Sequence, residues 1–216
     1  MYIIGIDLSG PGKNQNTSIA PFVSDGKFLD FIENDCDGSD IALLSLIKKL
    51  SQEMSVVIGI DAPLSYQPGG GDRERDAELR KRITDRGMRS GSVMAPTAPR
   101  MVYVTLRGIV LAQTIKKLRT PHQVQVVEVH PGAALCFRNA PLNAILNFSK
   151  DARARHVLYK WLVSSHQIRH LRIPSPCPSH FIAACAGAVA ARDWHIGKSA
   201  WLVPAQPPWH PYAFAS

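Results

Sequence analysis

Three short apolar runs that end at or near an acidic residue constrain the fold of this chain more than any other feature. The runs are YIIGID, ending at Asp7, SVVIGID, ending at Asp61, and VQVVEVH, which carries Glu128. Continuous runs of this length, rich in Val and Ile, are typical of strands buried on both faces of a sheet. The chain is therefore predicted to build a central sheet with carboxylates at the C-terminal ends of its strands.

The order of the predicted elements indicates an α/β fold. Strands are predicted at 2–8, 17–23, 27–34, 55–61 and 124–130, and helices at 41–53, 72–86, 101–118, 180–194 and between 141 and 170. Consecutive strands joined by turns favour an antiparallel meander, whereas strands that alternate with helices favour parallel pairing. We therefore predict a mixed central sheet, first a meander and then parallel strands, flanked by helices.

Length and composition limit the class of protein. The 216 residues suit a single domain over 1–216, with a basic insertion around 66–107 and a Pro- and aromatic-rich tail at 201–216. The Pro-rich segment 173–179 is interpreted as a rigid linker. No apolar run is long enough to cross a membrane and Asp7 interrupts any signal-peptide core, so we predict a cytoplasmic protein without membrane association. Four cysteines without a CxxC pair are expected to stay reduced.

Charge is divided unevenly along the chain. Residues 1–65 hold four Lys/Arg and nine Asp/Glu, a net of −5, whereas residues 66–216 hold 21 and eight, a net of +13. A basic surface suits a polyanion, which makes nucleic acid the predicted partner, with DNA and RNA equally open. A solvated basic face that serves solubility explains the charge equally well.

The strand-end acids indicate a metal site. Carboxyl ends of strands border the functional crevice of an α/β sheet, so Asp7, Asp61 and Glu128 are expected to converge there. Converging carboxylates repel unless a cation lies among them, and Mg²⁺ or Mn²⁺ prefers such oxygens. Two ions about 3.5–4 Å apart would serve phosphodiester cleavage. In the alternative interpretation, each acid caps a loop or pairs with an arginine.

Basic and histidine side chains near these acids are further candidates. Within the insertion, Arg86, Arg89 and Arg100 lie where acids are sparse, and we expect them to contact phosphate. His130 follows Glu128 by two residues and is a candidate to orient water or move a proton, or else a structural histidine. The segment GGGD at 69–72 lacks the GxxxxGK[ST] pattern of a phosphate loop, so no nucleotide cofactor is predicted.

Several blocks, in order along the chain, resemble the domain-of-unknown-function 429 family, described as predicted nucleases with an RNase H-like fold. They are GIDLSG at 5–10, VIGIDAPLS at 57–65, GGGDRERDAELR at 69–80, SVMAPTAPR at 92–100 and VEVHPGAAL at 127–135. The resemblance implies an RNase H-like core with Asp7 on the central first strand, Asp61 on the fourth and Glu128 on the fifth. It also implies an acid at the start of a late helix, where this chain has His180 and Ala183.

Three functions follow from these observations. The first is a metal-dependent nuclease that uses Asp7, Asp61, Glu128 and His130. The second is a catalytically weak or inactive nucleic-acid-binding protein on the same scaffold, because His180 stands where an acid is expected. In the alternatives, His180 itself supplies a metal ligand or a displaced Asp193 replaces the acid. The third is a phosphate-transfer enzyme related to actin-like ATPases, although 216 residues leave little room for the second domain this requires. The oligomeric state is left open.

Overall fold

Strands from both ends of the chain join in one sheet. The structure, a computed structural model, describes residues 1–165, 168–172 and 177–216. Within these ranges the strands are β1 (Tyr2–Asp7), β2 (Ser18–Ser24), β3 (Leu29–Phe31), β4 (Val56–Asp61), β5 (Val124–Val129), β6 (Ile168–Arg169), β7 (Leu202–Val203) and β8 (Phe214–Ala215). Their order across the sheet is β6-β3-β2-β1-β4-β5-β8-β7.

The strand directions confirm the predicted mixed sheet. β1 pairs antiparallel with β2, and β2 with β3, which forms the meander. On the other side of β1, strands β4, β5 and β8 follow one another in parallel. The first strand is therefore central, and the C-terminal ends of β1, β4 and β5 lie at the same edge.

Helices cover both faces of the sheet. They are α1 (Asp40–Leu50), α2 (Glu74–Thr84), α3 (Val102–Lys116), α4 (Pro131–Phe137), α5 (Leu142–Asn147), α6 (Ala152–Ser165) and α7 (Ser179–His195), with short 3-10 turns at Pro11–Asn16 and Ser90–Ser92. Side chains alternate along each strand, so Ile4 and Ile58 join a core with α1 and α3. Ile3 and Val57 face the other way, into a core with α4 and α7.

The close fit of α7 explains two glycines of the central strands. A Cβ atom added to Gly5 would lie 1.8 Å from the carbonyl oxygen of Ala184, and one added to Gly59 would lie 2.7 Å from that of Gly187. Small residues on α7 and glycines on the strands together let the helix backbone approach the sheet. This contact fixes the first turn of α7 beside the end of β1.

Some elements depart from the predictions. Pro131, directly after the predicted strand 124–130, begins the unpredicted helix α4, since a proline at the first helical position loses no hydrogen bond. Residues 173–176 of the predicted linker and residues 166–167 lie outside the described residues. No helix in the described ranges is both long and apolar enough to span a membrane.

Candidate active site at the C-terminal edge of the sheet

Two of the three predicted acids lie side by side. Asp7 and Asp61 are register partners at the ends of the parallel strands β1 and β4. Because side chains alternate along a strand, both point to the face that α7 covers, as do Gly5 and Gly59 two residues earlier. The Asp7 side chain is 15% exposed, so the pair lies at a partly buried position. The sequence prediction that these two carboxylates meet at the sheet edge is consistent with this register.

Glu128 is offset by one residue from the register of this pair. It pairs with Ile60 rather than with Asp61. A shift of one residue in register sends a strand side chain to the opposite face of the sheet. The Glu128 side chain is buried there, and the Leu64 N–H donates to its Oε2 atom at 3.0 Å. The structure therefore does not place Glu128 on the same face as Asp7 and Asp61.

Arg73 balances the charge of Glu128. Its Nη1 atom donates to Glu128 Oε2 at 2.9 Å and its Nη2 atom donates to Oε1. The same guanidinium donates to Asp76 through Nε at 2.8 Å and Nη2 at 2.6 Å, and to Ser65 Oγ at 3.0 Å. Burial alone would lower the pKa of Arg73, but Glu128 and Asp76 raise it above its ordinary value, so the group stays cationic. Sequence reasoning missed Arg73, because the interleaved acidic and basic residues around it are typical of an exposed helix with ion pairs.

Asp61 is held in an environment that disfavours its charge. Burial raises its pKa well above the ordinary value, and the nearby carboxylates of Asp7 and Glu128 raise it further. A carboxyl group in such a place either keeps a proton or has a cation beside it. Asp61 also lines a second, smaller cavity together with Arg73 and Glu128.

His180 contacts Asp7 from the first turn of α7. Its Nδ1 atom lies 2.8 Å from Asp7 Oδ2. This hydrogen bond, together with the charge of Asp7, raises the pKa of His180 above its ordinary value. Asp193, the other candidate for the late-helix position, lies near the far end of α7 and pairs with Arg138 at 2.7 Å. The late helix thus contributes His180 to the site.

His130 uses both ring nitrogens for structural contacts. The Ala133 N–H donates to Nδ1 at 3.0 Å, which caps α4, and Nε2 lies 2.8 Å from the carbonyl oxygen of Ser92. These partners assign the proton to Nε2. Burial lowers the pKa of His130, so the neutral ring ties residues 90–92 to the start of α4. His130 still lines the same cleft as Asp7, and its catalytic role stays a prediction.

A cleft of about 550 Å³ opens over Asp7 and Asp61. Besides the groups described above, segments 88–92 and 145–149 line it. Arg89 is the predicted phosphate-binding arginine found there. Arg86 lies at a neighbouring depression and stacks over the Phe137 ring at 5.0 Å. Arg100 is exposed shortly before α3.

A comparison with models of protein families assigns this chain to one family. The model of one family, described as a protein of unknown function (DUF429), matches residues 5–208 and so covers both acids and all of α7. The chain belongs to the DUF429 family. This match confirms the resemblance to the family that the sequence blocks indicated. Comparisons with curated proteins and with solved structures gave no match.

Two carboxylates of this DUF429 protein, those of Asp7 and Asp61, could hold one hard divalent cation. Among residues 1–165, 168–172 and 177–216, no group of three or more His, Cys, Asp or Glu side chains forms a metal cluster. Mg²⁺ in enzymes is commonly held by one or two carboxylates, with water and substrate phosphates filling the other positions. Asp7 and Asp61 supply such a pair, and the raised pKa of Asp61 shows how poorly the protein alone compensates its charge.

Proposed function

We propose that this DUF429 protein is a metal-dependent phosphodiesterase that cleaves nucleic acid on an RNase H-like fold. The observation that carries the proposal is the in-register pair of Asp7 and Asp61 at the floor of a cleft, with the charge of Asp61 poorly compensated. The sheet order β3-β2-β1-β4-β5, antiparallel and then parallel, supports the fold assignment. The net charge of +13 over residues 66–216 supports a polyanionic substrate.

Asp7 and Asp61 are the residues that would hold Mg²⁺ or Mn²⁺. A bound ion of this kind activates water and stabilises the leaving oxygen of a phosphodiester. His180 would fix the rotamer of the Asp7 carboxylate through its 2.8 Å contact, leaving the other carboxylate oxygen for the ion. Glu128 would act indirectly, since Arg73 occupies both of its oxygens.

Arg89 would bind a phosphate group of the substrate. Arg89 lines the cleft over the two acids, and it is exposed to solvent. Arginine presents several donors in a planar fork that suits phosphate oxygens. The hydrogen bond from His130 to the Ser92 carbonyl would keep the Arg89 segment beside the acids.

Calorimetric titration with Mn²⁺ tests the metal site without a known substrate. Wild type is expected to bind saturably, and Asp7→Asn and Asp61→Asn are expected to lose that binding. Asp85→Asn, which removes an exposed carboxylate after α2, is the matched control and should bind as wild type does. Retention of full Mn²⁺ affinity in both cleft variants would overturn the proposal.

A nucleic-acid-binding protein without cleavage is the second candidate. His180 favours it, because a histidine hydrogen-bonded to Asp7 stands where the family resemblance led us to expect an acid. This candidate predicts salt-dependent nucleic-acid binding without Mn²⁺ uptake. Turnover of a nucleic-acid substrate that Asp7→Asn abolishes would exclude it.

A further inference from the structure

The cleft is chemically two-sided. Its polar part holds Asp7, Asp61 and Arg89, whereas Met88, Ile145 and Phe148 contribute apolar surface to the same space. Phosphate and metal chemistry requires only the polar part. The apolar side chains therefore indicate that a hydrophobic portion of the ligand enters together with the phosphate.

The apolar lining is held in place by its own contacts. The Arg155 Nη1 atom donates to the carbonyl oxygen of Phe148 at 2.9 Å, which ties the chain after α5 to α6. Met88 and Ile145 are buried within the main core, and Phe148 packs against it. Because these side chains are anchored before a ligand arrives, little ordering entropy would oppose binding.

We propose that the substrate of this site is single-stranded nucleic acid, with one base seated against Met88, Ile145 and Phe148 while its phosphate contacts Arg89 beside the metal-holding carboxylates of Asp7 and Asp61. The inference rests on the proposed function and names its substrate class. A nucleobase has an apolar face that stacks on aromatic and aliphatic side chains, and its sugar carries the phosphate beside it. This chemistry matches a cleft whose apolar and charged groups share one volume.

Cleft size favours one nucleotide over a paired duplex. A volume of about 550 Å³ lies in the range of sites that enclose one small ligand. In a duplex each base is stacked and paired, so its face is unavailable until the nucleotide is unstacked at a cost of a few kcal/mol. A single strand offers the same face without that cost.

Fluorescence anisotropy with short labelled oligonucleotides in EDTA tests the inference apart from metal binding. Three DNA ligands of equal length are compared: a single strand, its blunt duplex, and the same strand without bases on an intact sugar-phosphate chain. The single strand is expected to bind more tightly than the duplex, and removal of the bases should weaken binding about 5- to 150-fold, which corresponds to ~1–3 kcal/mol for a stacked base. RNA strands are titrated in the same way, and base-dependent binding of either sugar supports the proposal.

A protein-side variant completes the test. Phe148→Ala is expected to weaken binding of the single strand but not of the base-free chain, and Phe148→Leu should recover part of the loss. Tyr103→Ala is the matched control, since it removes an aromatic side chain that is 66% exposed on α3, across the sheet from α7. Circular dichroism melts verify that each variant is folded.

The results separate this inference from the proposed function. Equal affinity for strand and duplex, or equal affinity with and without bases, would overturn the single-strand inference whatever the calorimetry shows. Absence of Mn²⁺ binding to the wild-type protein, with base-dependent strand binding intact, would instead overturn the proposed hydrolysis and leave the substrate class standing. A Phe148→Ala protein that is folded and binds the single strand as wild type does would also refute the proposed contact between a base and Phe148.

Discussion

Replacing Arg73 with methionine is expected to destabilise the protein by about 3–5 kcal/mol at neutral pH, the usual cost of removing one partner from a buried ion pair. Arg73 is 1% exposed, and its carboxylate partners Glu128 and Asp76 are each 2% exposed. Without the guanidinium, Glu128 keeps the Leu64 N–H as a donor, and Asp76 keeps the backbone N–H of residue 73. Methionine preserves much of the side-chain length, so the change mainly removes charge and hydrogen bonds.

Urea denaturation followed by circular dichroism measures this cost. Arg82→Met is the matched control, because Arg82 lies within α2 and Arg73 directly precedes the same helix. The Arg82 side chain is 63% exposed and its ion pair with Glu78 spans 3.8 Å. Exposed pairs contribute about 0–1 kcal/mol, so the control should change the free energy of unfolding little.

A double-mutant cycle isolates the Arg73–Glu128 contact. Glu128→Gln alone leaves Arg73 with Asp76 and an amide oxygen as acceptors, so it should cost less than Arg73→Met. In the double variant the buried charge of Glu128 is absent, and the combined loss should fall short of the summed single losses by about 0.5–3 kcal/mol. An Arg73→Met cost no larger than that of Arg82→Met, or strictly additive losses, would refute the argument that Arg73 balances Glu128.

Three other changes test the packing and charge of the site. Gly5→Ala should cost about 1–3 kcal/mol or more in urea denaturation, because the new Cβ meets the backbone of α7 at 1.8 Å, whereas Gly12→Ala, with nothing within 4 Å, should cost far less. Asp61→Asn should raise the melting temperature at neutral pH and lose this advantage in acid. The reason is that an acid whose pKa is raised in the folded state destabilises the fold as pH rises through that pKa. An unchanged melting temperature at neutral pH would contradict this. His180→Ala should cost most stability below about pH 6.5 and less as pH rises through the raised folded pKa, and a pH-independent cost would argue against the contact with Asp7.

The spacing of apolar residues in the sequence was sufficient to predict most of the long strands and helices. The long apolar runs predicted β1, β4 and β5, and helical spacing predicted α1, where the Ser39 hydroxyl accepts from the Ala42 N–H at 3.2 Å. The two-residue strands β6, β7 and β8 are too short to show an alternation, and tertiary packing alone places them. The start of α4 was missed for a different reason, since a proline directly after an apolar run marks the end of a strand as readily as the start of a helix.

The candidate site was predictable only in part, because its members depend on different kinds of information. Asp7 and Asp61 end matching GID segments, so a parallel sheet puts them in register. The position of Arg73 depends on how the loop before α2 folds back over the end of β5, and no local spacing reports that. Arg89 was one of three arginines that were predicted to contact phosphate, and the tertiary fold brings it to the cleft.

The glycine that precedes each paired acid explains which carboxylates share a face. In a strand, residues two apart point the same way. Gly5 and Gly59 mark the face against which α7 packs, so the acid two positions after each glycine must face the same layer. Val126 precedes Glu128 by two and packs against the opposite core, with Ile4 and Ile58. The pattern GxD, rather than an acid at a strand end, thus predicts the α7 face, and it assigns Glu128 to the layer in which Arg73 meets it.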